Sequence, residues 1–204
     1  MRFPYAPSNP TNPTPEDQAI YDRIAARRAP RPITKLDLAL LHNPSIANGW
    51  NELLGAIRTK TSLSAADMEL AICRVAVLNG AVYEWFAHAP LALKGGVSRA
   101  ALEVIKSCDE VGNEVGFLDG KEEERDGLSR KQWGIVALTD QMTRLVSVQD
   151  RVMDALKEWY SDSQIVELTA TVATYNCVSR FLVALDVCEM NGGEFVVPEA
   201  PQGQ

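Results

Sequence analysis

The sequence predicts an all-α fold, and three observations carry it. Apolar residues recur at helical spacing. Capping residues stand at the head of most such runs. No alternating strands joined by Asn-Gly and no βαβ pattern appear. A chain of 204 residues suits one domain, and an apolar share of 46% supports a sizeable core. The expected organisation is an extended arm over 1–16, a single α domain over 17–190 and a tail over 191–204.

The arm holds five of the eleven prolines, with Asn, Ser and Thr between them. Proline lacks the donor for regular pairing, so the arm should lie extended on the body or on a neighbouring subunit. "PEDQAIYDRIAARR" then opens on Pro15, with acids in its first turn and bases in its last, as the helix dipole favours. "TKLDLALLHN" begins at a Thr34 cap and stops before Pro44, and a further helix covers about 44–59. Ser64 and Asp67 open "SAADMELAICRVAVLNG", where Met68, Ile72, Val75 and Leu78 share a face.

Asn79-Gly80 interrupts the helical run. A straight helix through it would hold Glu69 and Glu84 about 22 Å apart along the axis, at 1.5 Å per residue. A break at 79–81 is expected instead, because both residues tolerate positive φ. The next helix, about 81–93, ends at Gly95-Gly96, and Ser98 caps another. "DGKEEERDG", 119–127, reads as a solvated charged loop. Helices resume over about 129–144 and 148–160. Ser161 and Gln164 cap a long run to about 187, and the Gly- and Pro-containing tail should be extended.

A net charge of -7 disfavours nucleic acid and anionic membranes as partners. An anionic small substrate would need local basic groups. Cys73, Cys108, Cys177 and Cys188 form no CxxC and show no zinc-ligand spacing, so reduced thiols are expected and no metal. The N-terminus has no apolar signal core, and no run approaches 18 consecutive apolar residues. A cytoplasmic protein is the expectation.

One stretch concentrates chemistry. "NGAVYEWFAH" places Glu84 and His88 four apart, on one face of a helix. Such a pair is an acid–base candidate, or a surface contact of about 0.2–0.5 kcal/mol. The two halves of the chain also echo each other. "MELAICRVAVLNGAVYEW" and "VELTATVATYNCVSRF" share a Glu-Leu start, an Ala- and Val-rich middle, an Asn and an aromatic. They form a degraded helical repeat.

"MELAICRVAVLNGAVYEWFAHAPLALKGGVS", 68–98, resembles the signature of the carboxymuconolactone decarboxylase family, which includes the alkylhydroperoxidase D-like proteins. "LLHNPSIANGWNELLGAIRTKTSLS" and "VELTATVATYNCVSRFL" extend the resemblance over about 36–187. It implies an alkylhydroperoxidase D-like helical fold and a homo-oligomer, often trimeric or hexameric. The peroxidase branch carries Glu, eleven residues, CxxC, three residues and His. On this chain the Glu is Glu69 and the His is His88, while the cysteine slots hold Ala81 and Glu84. Peroxide reduction needs an attacking and a resolving thiol. The sequence is therefore more similar to the decarboxylase branch.

The resemblance implies a cofactor-independent decarboxylase, or a related enolate-forming lyase, acting on a small carboxylated lactone or ring compound. The expected catalytic residues are His88 as general acid, Glu84 as its partner and Glu69 as a tuning group. Tyr83 and Trp85, with Phe86, are expected to exclude water from the substrate. Arg180 and His42 are further candidate substrate contacts, although Arg180 could equally hold an ion pair and His42 could end a helix. Two other functions compete. One is a thiol-dependent antioxidant relying on Cys73; the other is a non-catalytic oligomeric binding protein.

Overall fold

The computed structural model describes residues 1–107, 118 and 124–199. Its helices start where a short polar side chain can satisfy the orphan N–H groups of a first turn. Thr14 caps α1 (Pro15–Arg28), Thr34 caps α2 (Lys35–Leu40) and Asn43 caps α3 (Pro44–Thr59). Ser64 caps α4 (Ala65–Leu78), and α5 (Val82–Gly95) follows without a side-chain cap. Ser98 caps α6 (Arg99–Lys106), Ser129 caps α7 (Arg130–Arg144), and Ser161 caps α9 (Asp162–Leu185). Between the last two lies α8 (Asp150–Lys157).

Helix α4 is the axis of the molecule. Every residue from Asp67 to Val77 is buried, as expected for a helix that packs on all sides. It meets α5, α6, α7 and α9. Burial on all sides forces its charged residues to find partners. Arg74, fully buried, holds Asp140 of α7 through two bonds of 2.6 and 2.8 Å and donates to the Ile105 carbonyl at the end of α6. This fork joins three helices at one depth.

Two expectations need correction here. The charged segment 119–127 is not loop throughout. Glu124–Arg125 (β1) pairs antiparallel with Leu128–Ser129 (β2), and residues 119–123 lie outside the described part. Asp126 and Gly127 both take positive φ, 53° and 76°, which is the backbone a two-residue hairpin turn requires. The arm is also shorter than 1–16, because α1 already begins at Pro15.

The arm lies on its own body. Backbone bonds run from Arg2 to Leu185 and from Ala6 to Leu38. The Met1 amino group meets Glu189, and the Cys188 N–H donates to the Tyr5 hydroxyl at 2.7 Å. At the other end the tail covers α5. The Trp85 indole N–H donates to the Val196 carbonyl at 2.8 Å, and Phe195 packs edge-on against the Trp85 ring.

The degraded repeat is visible as a contact. Asn79 donates to Asn176, its counterpart in the second copy, at 3.1 Å. The first copy breaks after its Asn, whereas the second continues as one helix. By length and composition α9 could cross a membrane, but half of its apolar window is buried against the rest of the molecule.

Candidate active site

The break between α4 and α5 creates the site. Gly80 takes φ +68° after the last helical turn. Its N–H bonds to the Val77 carbonyl, and that of Ala81 bonds to Ala76. This is a Schellman closure, in which glycine tolerates the left-handed conformation that a Cβ would oppose. The chain reverses, and α5 runs back along α4. Glu69, in the middle of α4, thereby meets His88 of α5, with Oε2 2.7 Å from Nδ1.

Glu69 does not stand on that contact alone. Its other oxygen is 2.6 Å from a guanidinium nitrogen of Arg58, in the last turn of α3. Burial pushes the Glu69 carboxyl up, but His88 and Arg58 together outweigh it and hold the group below its ordinary range. Arg58 also lies within electrostatic range of Tyr175 of α9. The Tyr175 ring stands edge-on to the imidazole, centroids 5.1 Å apart, and burial keeps its phenol protonated. Four helices thus converge on one relay, Arg58–Glu69–His88, walled by Tyr175. Among the described residues, Nε2 of His88 has no protein partner. With Nδ1–H directed at an ionised carboxylate, Nε2 is the atom left for chemistry.

The expected partner of His88 was Glu84, and the structure corrects this. Glu84 is buried and accepts a bond of 2.9 Å from Ser179 of α9, while its second oxygen has no partner. Burial raises its carboxyl well above the ordinary value, so it sits neutral in the core. Four-residue spacing does put both side chains on one side of α5. That side, however, is divided between α9, which takes Glu84, and α4, which takes His88.

The other expected contacts lie elsewhere. Trp85 is turned under the tail, and Phe86 is exposed. Tyr83 points to the arm side of α5, within electrostatic range of Cys188, Arg28 and Asp37. Arg180 donates to the backbone and side chain of Asn176 one turn back. His42 bonds to the Pro4 carbonyl and packs edge-on against Phe3. Its role is to hold the arm.

Arg58 and Tyr175 went unrecognised in the sequence. A base in the last turn of a helix reads as dipole compensation, and an aromatic on a core helix reads as packing. A cleft of about 290 Å³ also opens between the arm and α1, lined by Gln18, Tyr21, Asp22 and Arg31 among others. It shares no residue with the His88 relay and carries no comparable acid–base pair.

Residues 44–109 match the model of the carboxymuconolactone decarboxylase family. Over that segment the chain is similar to the carboxymuconolactone decarboxylase family. The segment contains Arg58, Glu69, Glu84 and His88, and excludes Tyr175. The chain is also similar in fold to an uncharacterized peroxidase-related protein from Silicibacter sp. TM1040, with a TM-score of 0.65 and 16% identity. That likeness covers 93% of this chain and 95% of the other, and it shows an all-α, alkylhydroperoxidase D-like fold. No curated protein matches.

Within this matched segment, the thiol positions of the peroxidase pattern are sealed. Ala81 is the buried residue preceding α5, and Glu84 is the buried acid. Cys73, one turn beyond Glu69 on α4, is fully buried. Burial, with Glu69 and Glu84 adding to it, pushes its thiol well above the ordinary range. Cys177 is exposed, Cys188 is half-buried, and Cys108 lies outside the described residues. Among the described residues, no group of three or more His, Cys, Asp or Glu side chains could hold a metal ion.

Proposed function

We propose that this protein is a cofactor-independent decarboxylase or a closely related enolate-forming lyase, acting on a small carboxylated lactone or ring compound. The observation that carries the reading is the Glu69–His88 pair at 2.7 Å with Nε2 left unpartnered. In the reaction the substrate's carboxylate leaves as carbon dioxide. The electron pair of the broken C–C bond passes into a conjugated carbonyl, giving an enolate. Protonated His88 stabilises that enolate through Nε2–H and then delivers the proton to carbon. Solvent restores the proton. Glu69 fixes the ring through Nδ1–H and stabilises its cation, and Arg58 holds Glu69 in register.

The match of residues 44–109 to the family model supports the reaction class. The burial of Cys73 weighs against a peroxidase relying on that thiol. The test is release of carbon dioxide from γ-carboxymuconolactone, the substrate that gives the family its name. Turnover should survive alkylation of the thiols and fall at least about tenfold in His88→Ala. A variant that keeps its activity, or activity abolished by alkylating the exposed thiols, overturns the reading.

We also propose a homo-oligomer. Leu53, Val166 and Ile46, on α3 and α9, are each more than half exposed, which is the kind of surface that subunit contacts cover.

A further inference from the structure

We propose that Arg27, on α1 and outside the family-matched segment, is the anchor for a carboxylate of the molecule that the His88 site binds. This inference rests on reading the His88 relay as the site.

The argument begins with the arginines of this region. Arg28 is held bidentately by Asp37 at 2.6 and 2.9 Å. Arg58 is committed to Glu69 at 2.6 Å. Arg27 has neither kind of partner. Its one hydrogen bond is a long contact of 3.5 Å to the Asn51 carbonyl of α3, and among the described residues no carboxylate pairs with it. Asn51 and Arg58 are seven residues apart, two turns along α3 and on the same face. The Arg27 guanidinium therefore lies over the α3 face that leads to the relay.

Its electrostatic surroundings agree. Partial desolvation against α3, and then the like charges of Arg28 and Arg58, hold Arg27 below its ordinary value, while Asp37 and Tyr175 offset only part of this. A cation with no carboxylate paired directly to it gains most from an incoming anion. Its planar fork matches a carboxylate through two parallel hydrogen bonds. In a chain of net charge -7, a local cation is also what an anionic ligand needs for its approach. One carboxylate on Arg27 would leave the rest of a small ring compound directed along α3 towards Nε2.

The test uses an inert probe, 5-oxotetrahydrofuran-2-carboxylate, and its uncharged methyl ester. The chain has only two histidines, so the imidazole resonances of His88 are assignable against a His42→Asn variant. In the wild type the carboxylate should shift the His88 resonances saturably. In Arg27→Gln its affinity should fall about tenfold or more, with partial recovery in Arg27→Lys. The ester should bind weakly and equally to all three. Arg27 is exposed, so the fold is expected to survive, and a thermal melt checks it. Carboxylate affinity within twofold of wild type in Arg27→Gln overturns the proposal. So does an ester that binds as well as the acid, or a wild type showing no saturable shift. Arg27-dependent binding without turnover of any lactone leaves the anchor standing and removes the decarboxylase reading. Turnover with an unchanged KM in Arg27→Gln does the reverse.

Discussion

His88 presents one ring nitrogen to its surroundings and gives the other to Glu69, so the two residues should fail differently when changed. Glu69→Gln keeps the shape but loses the charge that orients and stabilises the ring. A drop in kcat of about 10–100-fold is expected, with KM little altered, as steady-state kinetics on γ-carboxymuconolactone would show. The same variant has a stability signature. The Glu69 carboxyl is depressed in the fold, so it stabilises the protein above the ordinary value of 4.5, and that contribution is lost as pH falls through the folded value. Glu69→Gln should therefore melt lower than wild type near neutral pH, by about 1–3 kcal/mol, and the gap should close in acid. Glu84 has the opposite sign. Its carboxyl is raised by burial, so the neutral form favours folding below 4.5, and stability declines as pH rises from there towards the folded value. One such group limits the slope to about 1.4 kcal/mol per pH unit. Glu84→Gln cannot ionise, so its pH–stability curve should be flatter than wild type over that range. Melting curves across pH that stay parallel for the two proteins would contradict a neutral Glu84.

At the scale of elements, the α4–α5 reversal governs everything at the site. Gly80 has open space around its missing Cβ, so Gly80→Ala meets no clash and only the backbone opposes it. The left-handed conformation costs about 1–2 kcal/mol for other residues. At about 2–4 °C per kcal/mol for a chain of this size, a Tm lowered by about 2–8 °C is expected. Activity should fall further than stability if the reversal relaxes and draws His88 from Glu69. This reversal was legible in the sequence, since Asn79-Gly80 offered the only backbone able to turn back between Glu69 and His88. So were the helix starts, because Thr34, Ser64, Ser98 and Ser161 act within their own first turns. What the sequence hid is what depends on neighbouring helices. Spacing put Glu84 and His88 on one side of α5, but could not say that α9 and α4 would divide that side. Trp85 looked like a pocket wall because nothing local announces that Val196, more than a hundred residues away, will cap its indole. Arg58 reaches the relay from another helix, and no short-range pattern records that.

For the molecule as a whole, exposed apolar side chains on α3 and α9 lead to the expectation of an assembly. Light scattering at micromolar concentration should report more than one subunit, and a monomer would refute the proposed homo-oligomer. The interior rests on a different feature. Arg74 and Asp140 are buried together, so removing one leaves a bare charge in the core. Arg74→Ala should cost about 3–5 kcal/mol in chemical denaturation, and replacing both with apolar residues should recover much of it. The distance between these partners along the chain has a consequence for synthesis. Arg74 leaves the ribosome 66 residues ahead of Asp140. At about 5–20 residues per second, α4 waits roughly 3–13 seconds before its counter-charge exists. Until then its apolar sides and its guanidinium cannot be sealed together, and α9 is further away still. The nascent chain thus holds its central helix open to other binders for about a third of its elongation, and a ribosome-bound fragment ending before α7 should be readily digested by protease.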